Sequence, residues 1–182
     1  MTLAPFIDHT VLKNVTTTAD IDRICNEARE YRFAAVCVPP YFVQDAKKLL
    51  EGTGVNVATV IGFPFGYHHY NTKLQEARIA IEEGADELDM VMNLSAFKSN
   101  DLAYLETEAG VISDLTTAEG KILKVIIESG VLTDEEIMKC CELYRHYPVQ
   151  FLKTSTGYAD SGASVAAVKL MRQHLPESIQ IK

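Results

Sequence analysis

Three lysines and an aspartate recur along this chain, each set in or just after an apolar run. Phe151-Leu152-Lys153 leads into Thr154-Ser155-Thr156-Gly157, which reads as a short buried strand surfacing at the lysine and turning at the glycine. Lys124 lies in Ile122-Leu123-Lys124-Val125-Ile126-Ile127, Lys182 closes Ile179-Gln180-Ile181-Lys182, and Asp89 sits in Glu87-Leu88-Asp89-Met90-Val91-Met92. An ammonium is costly to desolvate. A lysine at the mouth of a buried strand therefore either reaches water or a carboxylate, or is held partly uncharged so that its nitrogen attacks a carbonyl. A free lysine titrates near about 10.4, which leaves about 1 in 2,500 neutral at pH 7. Burial lowers that value, and so does a second cation. Lys153 and Lys182, at corresponding positions on successive strands, supply such a pair. Any single lysine is more simply a solvated rim residue paired with an acid. Three in register with Asp89 point instead to Schiff-base chemistry on an aldehyde or ketone, with the carboxylate carrying protons.

The elements that must hold these residues alternate between strand and helix. Phe6-Ile7-Asp8-His9 is a short extended run. A helix follows with Ile21, Ile24, Cys25, Ala28 and Tyr31 inward, then the strand Ala34-Ala35-Val36-Cys37-Val38, ended by Pro39-Pro40. The next helix presents Phe42, Val43, Ala46, Leu49 and Leu50 and stops at Gly52. Asn56-Val57-Ala58-Thr59-Val60-Ile61 is the third strand, and the helix after it opens with Thr72 and Gln75 at capping-box spacing and closes at Gly84. The later helices carry Leu102, Leu105, Ala109 and Ile112; Ile137, Cys140, Cys141 and Tyr144 behind a Thr133–Glu136 capping box; and Val165, Val168, Met171 and Leu175.

Taking one special residue per strand gives Asp8, Cys37, Gly62, Asp89, Lys124, Lys153 and Lys182, with gaps of 29, 25, 27, 35, 29 and 29 residues. That is the period of one strand-plus-helix unit. It predicts an α/β fold of the TIM (β/α)8 barrel type, in preference to an open doubly wound sheet with the same alternation. The whole chain, 1–182, reads as one barrel domain. A complete barrel needs roughly 230 residues at this period, so the chain is expected to be truncated after the seventh strand, lacking a last helix-strand-helix portion. No G-x-G-x-x-G follows the first strand, so the dinucleotide fingerprint is missing.

Composition narrows the partners. A hydrophobic fraction of 47% with 23% charged residues is that of a globular protein. A net charge of −8 argues against nucleic acid or an anionic membrane as partner, yet leaves room for a small phosphorylated substrate held by a few N–H groups. Met1-Thr2-Leu3-Ala4-Pro5 shows no leader pattern, and no window approaches the ~18 apolar residues of a membrane span. Cys25, Cys37, Cys140 and Cys141 form no C-x-x-C pair and read as buried free thiols of a reducing, cytoplasmic compartment. No metal is expected: His68-His69 point apart, and no H-E-x-x-H is present.

Phe151-Leu152-Lys153-Thr154-Ser155-Thr156-Gly157 resembles the Schiff-base strand of the deoxyribose-phosphate aldolases, class I aldolases on a TIM barrel. The resemblance extends to Ile7-Asp8-His9-Thr10, Val36-Cys37-Val38-Pro39, Gly62-Phe63-Pro64, Gly84-Ala85-Asp86-Glu87-Leu88-Asp89 and Leu123-Lys124-Val125-Ile126-Ile127-Glu128. It implies a reversible cleavage of 2-deoxy-D-ribose 5-phosphate to D-glyceraldehyde 3-phosphate and acetaldehyde, without metal or organic cofactor, in deoxyribonucleotide catabolism. Lys153 would form the imine, with Lys182 as the neighbouring cation; Lys182 and Asp89 would shuttle protons. Asp8 and Lys124 would orient that network, while Thr10, Cys37, Thr156 and Gly157 would contribute to substrate binding. Tyr158 stands where some relatives carry a lysine, which alters the surroundings of the phosphate. Homodimers or higher oligomers are compatible with an unpaired sheet edge. A related Schiff-base aldolase or transaldolase acting on another aldehyde, or an inactive barrel fragment, are the competing readings. Because the family's glycine-rich phosphate loop follows the seventh strand, the 182-residue chain is expected to turn over the phosphorylated sugar poorly, which a steady-state assay reads directly.

Overall fold

The computed structural model describes residues 3–182; Met1 and Thr2, the start of the segment read for a leader, lie outside the described residues. Strands and helices alternate as β1 (Asp8–Thr10), α1 (Thr18–Tyr31), β2 (Ala35–Val38), α2 (Val43–Leu49), β3 (Asn56–Ile61), α3 (Tyr70–Glu82) and β4 (Glu87–Val91). They continue as α4 (Leu94–Lys98), α5 (Leu102–Ala118), β5 (Ile122–Ile126), α6 (Asp134–Tyr144), β6 (Phe151–Lys153), α7 (Val165–His174) and β7 (Gln180–Ile181). The seven strands follow one another across the sheet in chain order. A doubly wound sheet would break that order at a switch point. Successive parallel strands joined by helical crossovers are the TIM-type arrangement. No helix among the described residues is long and apolar enough to cross a membrane.

The chain forms two compact units, one built from the segments up to Val60 and Arg78–Leu88, the other from Ile61–Ala77 and Asp89–Lys182. In the first unit β2 pairs in parallel with β1 and with β3. Ile21, Ile24, Cys25 and Ala28 fall on one face of α1 and are buried, with α1 packed on β2 and α2. The start of α1 is closed by Thr17, whose hydroxyl accepts the Asp20 N–H while the Asp20 carboxylate accepts the Thr17 N–H. Asp86 accepts the Lys47 ammonium on both oxygens at 2.7 Å and the Val57 N–H at 3.0 Å, which fixes the turn before β4 to the start of β3.

The second unit carries β5, β6 and β7, each parallel to the next. Its core includes Met92, Leu105, Ile112, Leu123, Val125, Ile126, Ile127, Ile137 and Met171. A charged pair lies inside it. Lys73 of α3 and Glu108 of α5 are both fully buried, with Nζ 2.6 Å from Oε1. Lys73 also donates to the Val91 carbonyl at 2.8 Å, and Glu108 accepts the Asn93 N–H at 3.1 Å. The Asn93 side chain in turn accepts the Ala96 N–H and caps α4. Burial pushes the Lys73 ammonium below its ordinary range and the Glu108 carboxyl above its own, and each partner opposes the other's shift. The lysine's approach requires a residue without a side chain at 62, since a Cβ there would stand 2.6 Å from Lys73 Cε.

Several expectations shift. The first strand begins at Asp8 rather than Phe6, because Ala4–Phe6 winds into a 3-10 turn. α3 starts at Tyr70, so Thr72 and Gln75 lie within the helix rather than at its cap. Its first N–H groups are taken by other partners: the Tyr70 N–H donates to the Tyr104 hydroxyl and the Asn71 N–H to His69 Nδ1. The Thr133–Glu136 capping box forms as read. Tyr31, Leu49, Leu102, Val165 and Val168, expected inward, are exposed; the first four are each the first or last residue of their helix, where the apolar stripe runs past the surface it covers, whereas Val168 lies inside α7 at the edge of its buried face.

Two consequences can be measured. Removing one member of a buried ion pair strands the other, so Lys73→Met or Glu108→Gln should each cost about 3–5 kcal/mol, with much of the loss recovered when both are made apolar; urea melts read this. Glu136 accepts the Lys98 ammonium and the Thr133 N–H, which hold its carboxyl below the ordinary 4.5. The stabilisation is present above that value and lost as pH falls through the depressed one. Glu136→Gln should therefore lower stability by up to ~1 kcal/mol at neutral pH, and the difference should shrink in acid.

Candidate active site

Period-two alternation decides which side chains of β5 and β6 meet. Lys124 pairs in register with Phe151, and Ile126 with Lys153, so these four side chains share one face. The backbone of Lys182 lies just past β7: its N–H donates to the Leu152 carbonyl at 3.1 Å and its carbonyl accepts the Thr154 N–H at 2.8 Å. That places Lys182 level with Lys153 on the neighbouring strand. The ring of Phe151 has the Lys124 ammonium 5.9 Å and the Lys182 ammonium 6.0 Å from its centroid, at the outer reach of a cation–π contact.

Asp89 of β4 is the centre of the cluster. Its side chain is fully buried. Lys153 Nζ donates to Oδ2 at 2.6 Å, and Lys124 Nζ lies 3.0 Å from Oδ1. The second contact is an ion pair without hydrogen-bond alignment, since Oδ1 lacks a hydrogen-bond donor. Lys124 is almost fully buried, whereas 19% of the Lys153 side chain remains open. Of the two lysines on Asp89, the one on the sixth strand is the more open. Two ammonium groups share one carboxylate here. A proton already shared across 2.6 Å needs no rearrangement to move from nitrogen to oxygen.

The other residues singled out from the sequence are distributed as follows. Thr156 and Gly157 lie in the loop after β6, where Gly157 takes φ +85°. The Thr156 hydroxyl and N–H are both taken by the Glu128 carboxylate, and its Oγ1 accepts the Tyr158 N–H at 3.0 Å. Asp8, Thr10 and Cys37 belong to the first unit. Thr10 pairs in register with Cys37 and Asp8 with Ala35, so these four share a face. Cys37 is fully buried, and the Thr10 hydroxyl donates to the Asp8 carbonyl at 2.9 Å. All four cysteines are free and buried, and burial pushes Cys25 and Cys141 up to about 11, which keeps them as thiols. Among the described residues no group of histidines, cysteines and carboxylates is placed to hold a metal.

Reading the sequence missed Glu128 and the Lys73–Glu108 pair. For Lys73 a signal existed: Ala77 and Ala80, at i+4 and i+7, are buried and extend the lysine's own face. Glu128 gave only its place, one residue beyond an apolar run.

The loop between β3 and α3 is seated on the end of β4. A Cβ on Gly66 would stand 2.1 Å from the Met92 carbonyl oxygen, and the residue takes φ +71°. Around that seat Phe65 stacks on Tyr67, and Phe63 meets the edge of Tyr158 with ring centroids 5.3 Å apart.

The chain is similar to known proteins along nearly its whole length. The family described as DeoC/LacD family aldolase matches residues 2–178. The deoxyribose-phosphate aldolase of Aciduliprofundum boonei is 47% identical over 180 residues, 99% of this chain and 81% of its own length. That of Thermoanaerobacter pseudethanolicus is 46% identical, with 100% of this chain and 82% of its own length aligned. Among solved structures, a putative deoxyribose-phosphate aldolase from Coccidioides immitis superposes with a TM-score of 0.94 at 38% identity, covering 98% of this chain and 71% of its own. The tetrameric deoxyribose phosphate aldolase of Aeropyrum pernix gives 0.90 at 30%, covering 98% and 75%. With this likeness along nearly its whole length, the chain belongs to the DeoC/LacD family of aldolases.

Proposed function

We propose that this chain catalyses the reversible cleavage of 2-deoxy-D-ribose 5-phosphate to D-glyceraldehyde 3-phosphate and acetaldehyde through an imine on Lys153, as a cytoplasmic step of deoxyribonucleotide catabolism. The observation that carries this reading is the 2.6 Å contact between the partly open Lys153 amine and the buried Asp89 carboxylate, with Lys124 on the other oxygen. The names of its relatives supply the substrate.

In the cleavage direction, Lys153 passes its proton to Asp89 and the neutral nitrogen attacks C1 of the open-chain sugar. Asp89 returns its proton to the carbinolamine hydroxyl, which leaves as water and gives a protonated imine. A base removes the C3 hydroxyl proton, the C2–C3 bond breaks, and its electron pair flows toward the cationic nitrogen, leaving an enamine. The other product departs as the three-carbon aldehyde phosphate. Protonation of C2 and hydrolysis of the imine release acetaldehyde and restore the amine. The cationic C=N accepts the electron pair far better than a carbonyl would. Asp89 and Lys182 are the proton carriers of these steps, Lys182 from its place level with Lys153. Lys124 holds the second carboxylate oxygen and so fixes the direction of the first. Thr156 and Gly157, in the loop after β6, belong to the proposed substrate surroundings. A homo-oligomer, as the Aeropyrum pernix relative is described, is the assembly this reading adopts.

The chain incubated with acetaldehyde and reduced with borohydride should carry a two-carbon adduct on Lys153, located by peptide mass spectrometry, and Lys153→Met should carry none. An adduct at another lysine would reassign the imine, and none at all would remove the enzyme reading. A product assay on the sugar phosphate then decides the substrate. Lys182→Met removes a neighbouring cation and so favours the protonated amine. The pH at which trapping reaches half its maximal rate should therefore move upward.

A further inference from the structure

The strand that carries Lys153 does not end as a regular ladder would. The Ile127 N–H donates to the Lys153 carbonyl at 3.0 Å, as the β5–β6 register requires. In a regular parallel pair the next donor on that edge, the Ser129 N–H, would bond residue 155. It bonds the Thr154 carbonyl instead, at 2.7 Å, so the ladder slips by one residue. The residue between the two donors is Glu128, which takes φ +52°. The left-handed region costs a residue with a side chain about 1–2 kcal/mol and is held only where the surroundings over-determine it. Here the carboxylate supplies the reason. Glu128 is 5% exposed, and its oxygens accept the Thr156 N–H at 3.1 and 3.3 Å and the Thr156 hydroxyl. A buried side chain thus takes the donor that the slipped ladder leaves over.

Resting on the imine reading of Lys153, we propose that Glu128 is a positioning residue: its carboxylate, clasped to Thr156, fixes where the sixth strand ends and so holds the Lys153 amine at the Asp89 carboxylate. Three backbone bonds and this clasp bracket the lysine. Lys153 and Thr154 give their carbonyls to the Ile127–Ser129 edge, Thr154 gives its N–H to Lys182, and Thr156 is held by Glu128. The clasp also changes the part assigned to Thr156. Its hydroxyl proton and its N–H are committed to Glu128, so it acts on the reaction by anchoring the loop rather than by donating to substrate. No chemical step is assigned to Glu128 itself.

The test is a double-mutant cycle on the rate of borohydride trapping at saturating acetaldehyde, which reads imine formation without any call on phosphate contacts. Glu128→Ala and Thr156→Val should each slow trapping at Lys153 by about ten-fold or more, the scale expected when a reacting group is misplaced by a fraction of an ångström. The double variant should be no slower than Glu128→Ala alone, because Thr156→Val removes the hydroxyl half of a clasp that Glu128→Ala removes whole. Thr156→Val leaves the carboxylate charge in place, so its pH midpoint should not move. Multiplicative losses, unchanged rates in folded single variants, or a shifted midpoint in Thr156→Val would each overturn the positioning role. If Glu128→Ala fails to fold by circular dichroism, Glu128→Gln takes its place in the cycle, since it keeps the side-chain length and one acceptor. No adduct in the parent chain would overturn both readings together, whereas a normal adduct with no effect in the variants would overturn this one alone.

Discussion

A carboxylate with no access to water has to be neutralised by the protein, and Asp89 is neutralised by two lysines from two further strands. Much of the second unit's sheet follows from that requirement. β4, β5 and β6 must stand at a register that brings three charged side chains together, and a slip of one residue would turn Lys124 or Lys153 to the opposite face. A charge cluster of this kind is a poor source of stability, because desolvation of the ions offsets their attraction. Its worth lies in specificity of register and in chemistry: the same contacts that settle the charge also place an amine against a proton acceptor.

The second buried pair shows the complementary use. Lys73 and Glu108 are as deeply enclosed as Asp89, but every hydrogen bond they make beyond each other goes to backbone at the end of β4. They tie α3 and α5 to the last residue of the strand that bears Asp89 and to the turn after it. One ion pair is therefore closed on all sides and structural, while the other keeps one member partly open. Exposure of a single lysine, 19% against none, separates the two roles.

The alternation of elements and the lysine cluster were legible because both rest on local pattern. Apolar runs of five or six residues mark strands whichever partner they find, and a charged residue interrupting such a run stands out. Glu128 was not legible, since its function depends on a left-handed backbone and on a ladder that slips, and neither has a signature in residue type. The misjudged residues at helix ends, Tyr31, Leu49, Leu102 and Val165, failed for a related reason: periodicity states which face turns inward but not where the covering surface stops. Thr72 was misread because His69 and Tyr104 took over the start of α3, and that contact joins residues 34 apart in the chain.

The seat of Gly66 on the Met92 carbonyl has a bearing on redesign. There is no room for even one carbon at that point, while Phe65 and Tyr67 on either side stand open to solvent. Libraries aimed at new aldehydes can randomise those two aromatics freely and still inherit the parent backbone trace, provided the glycine between them is left alone.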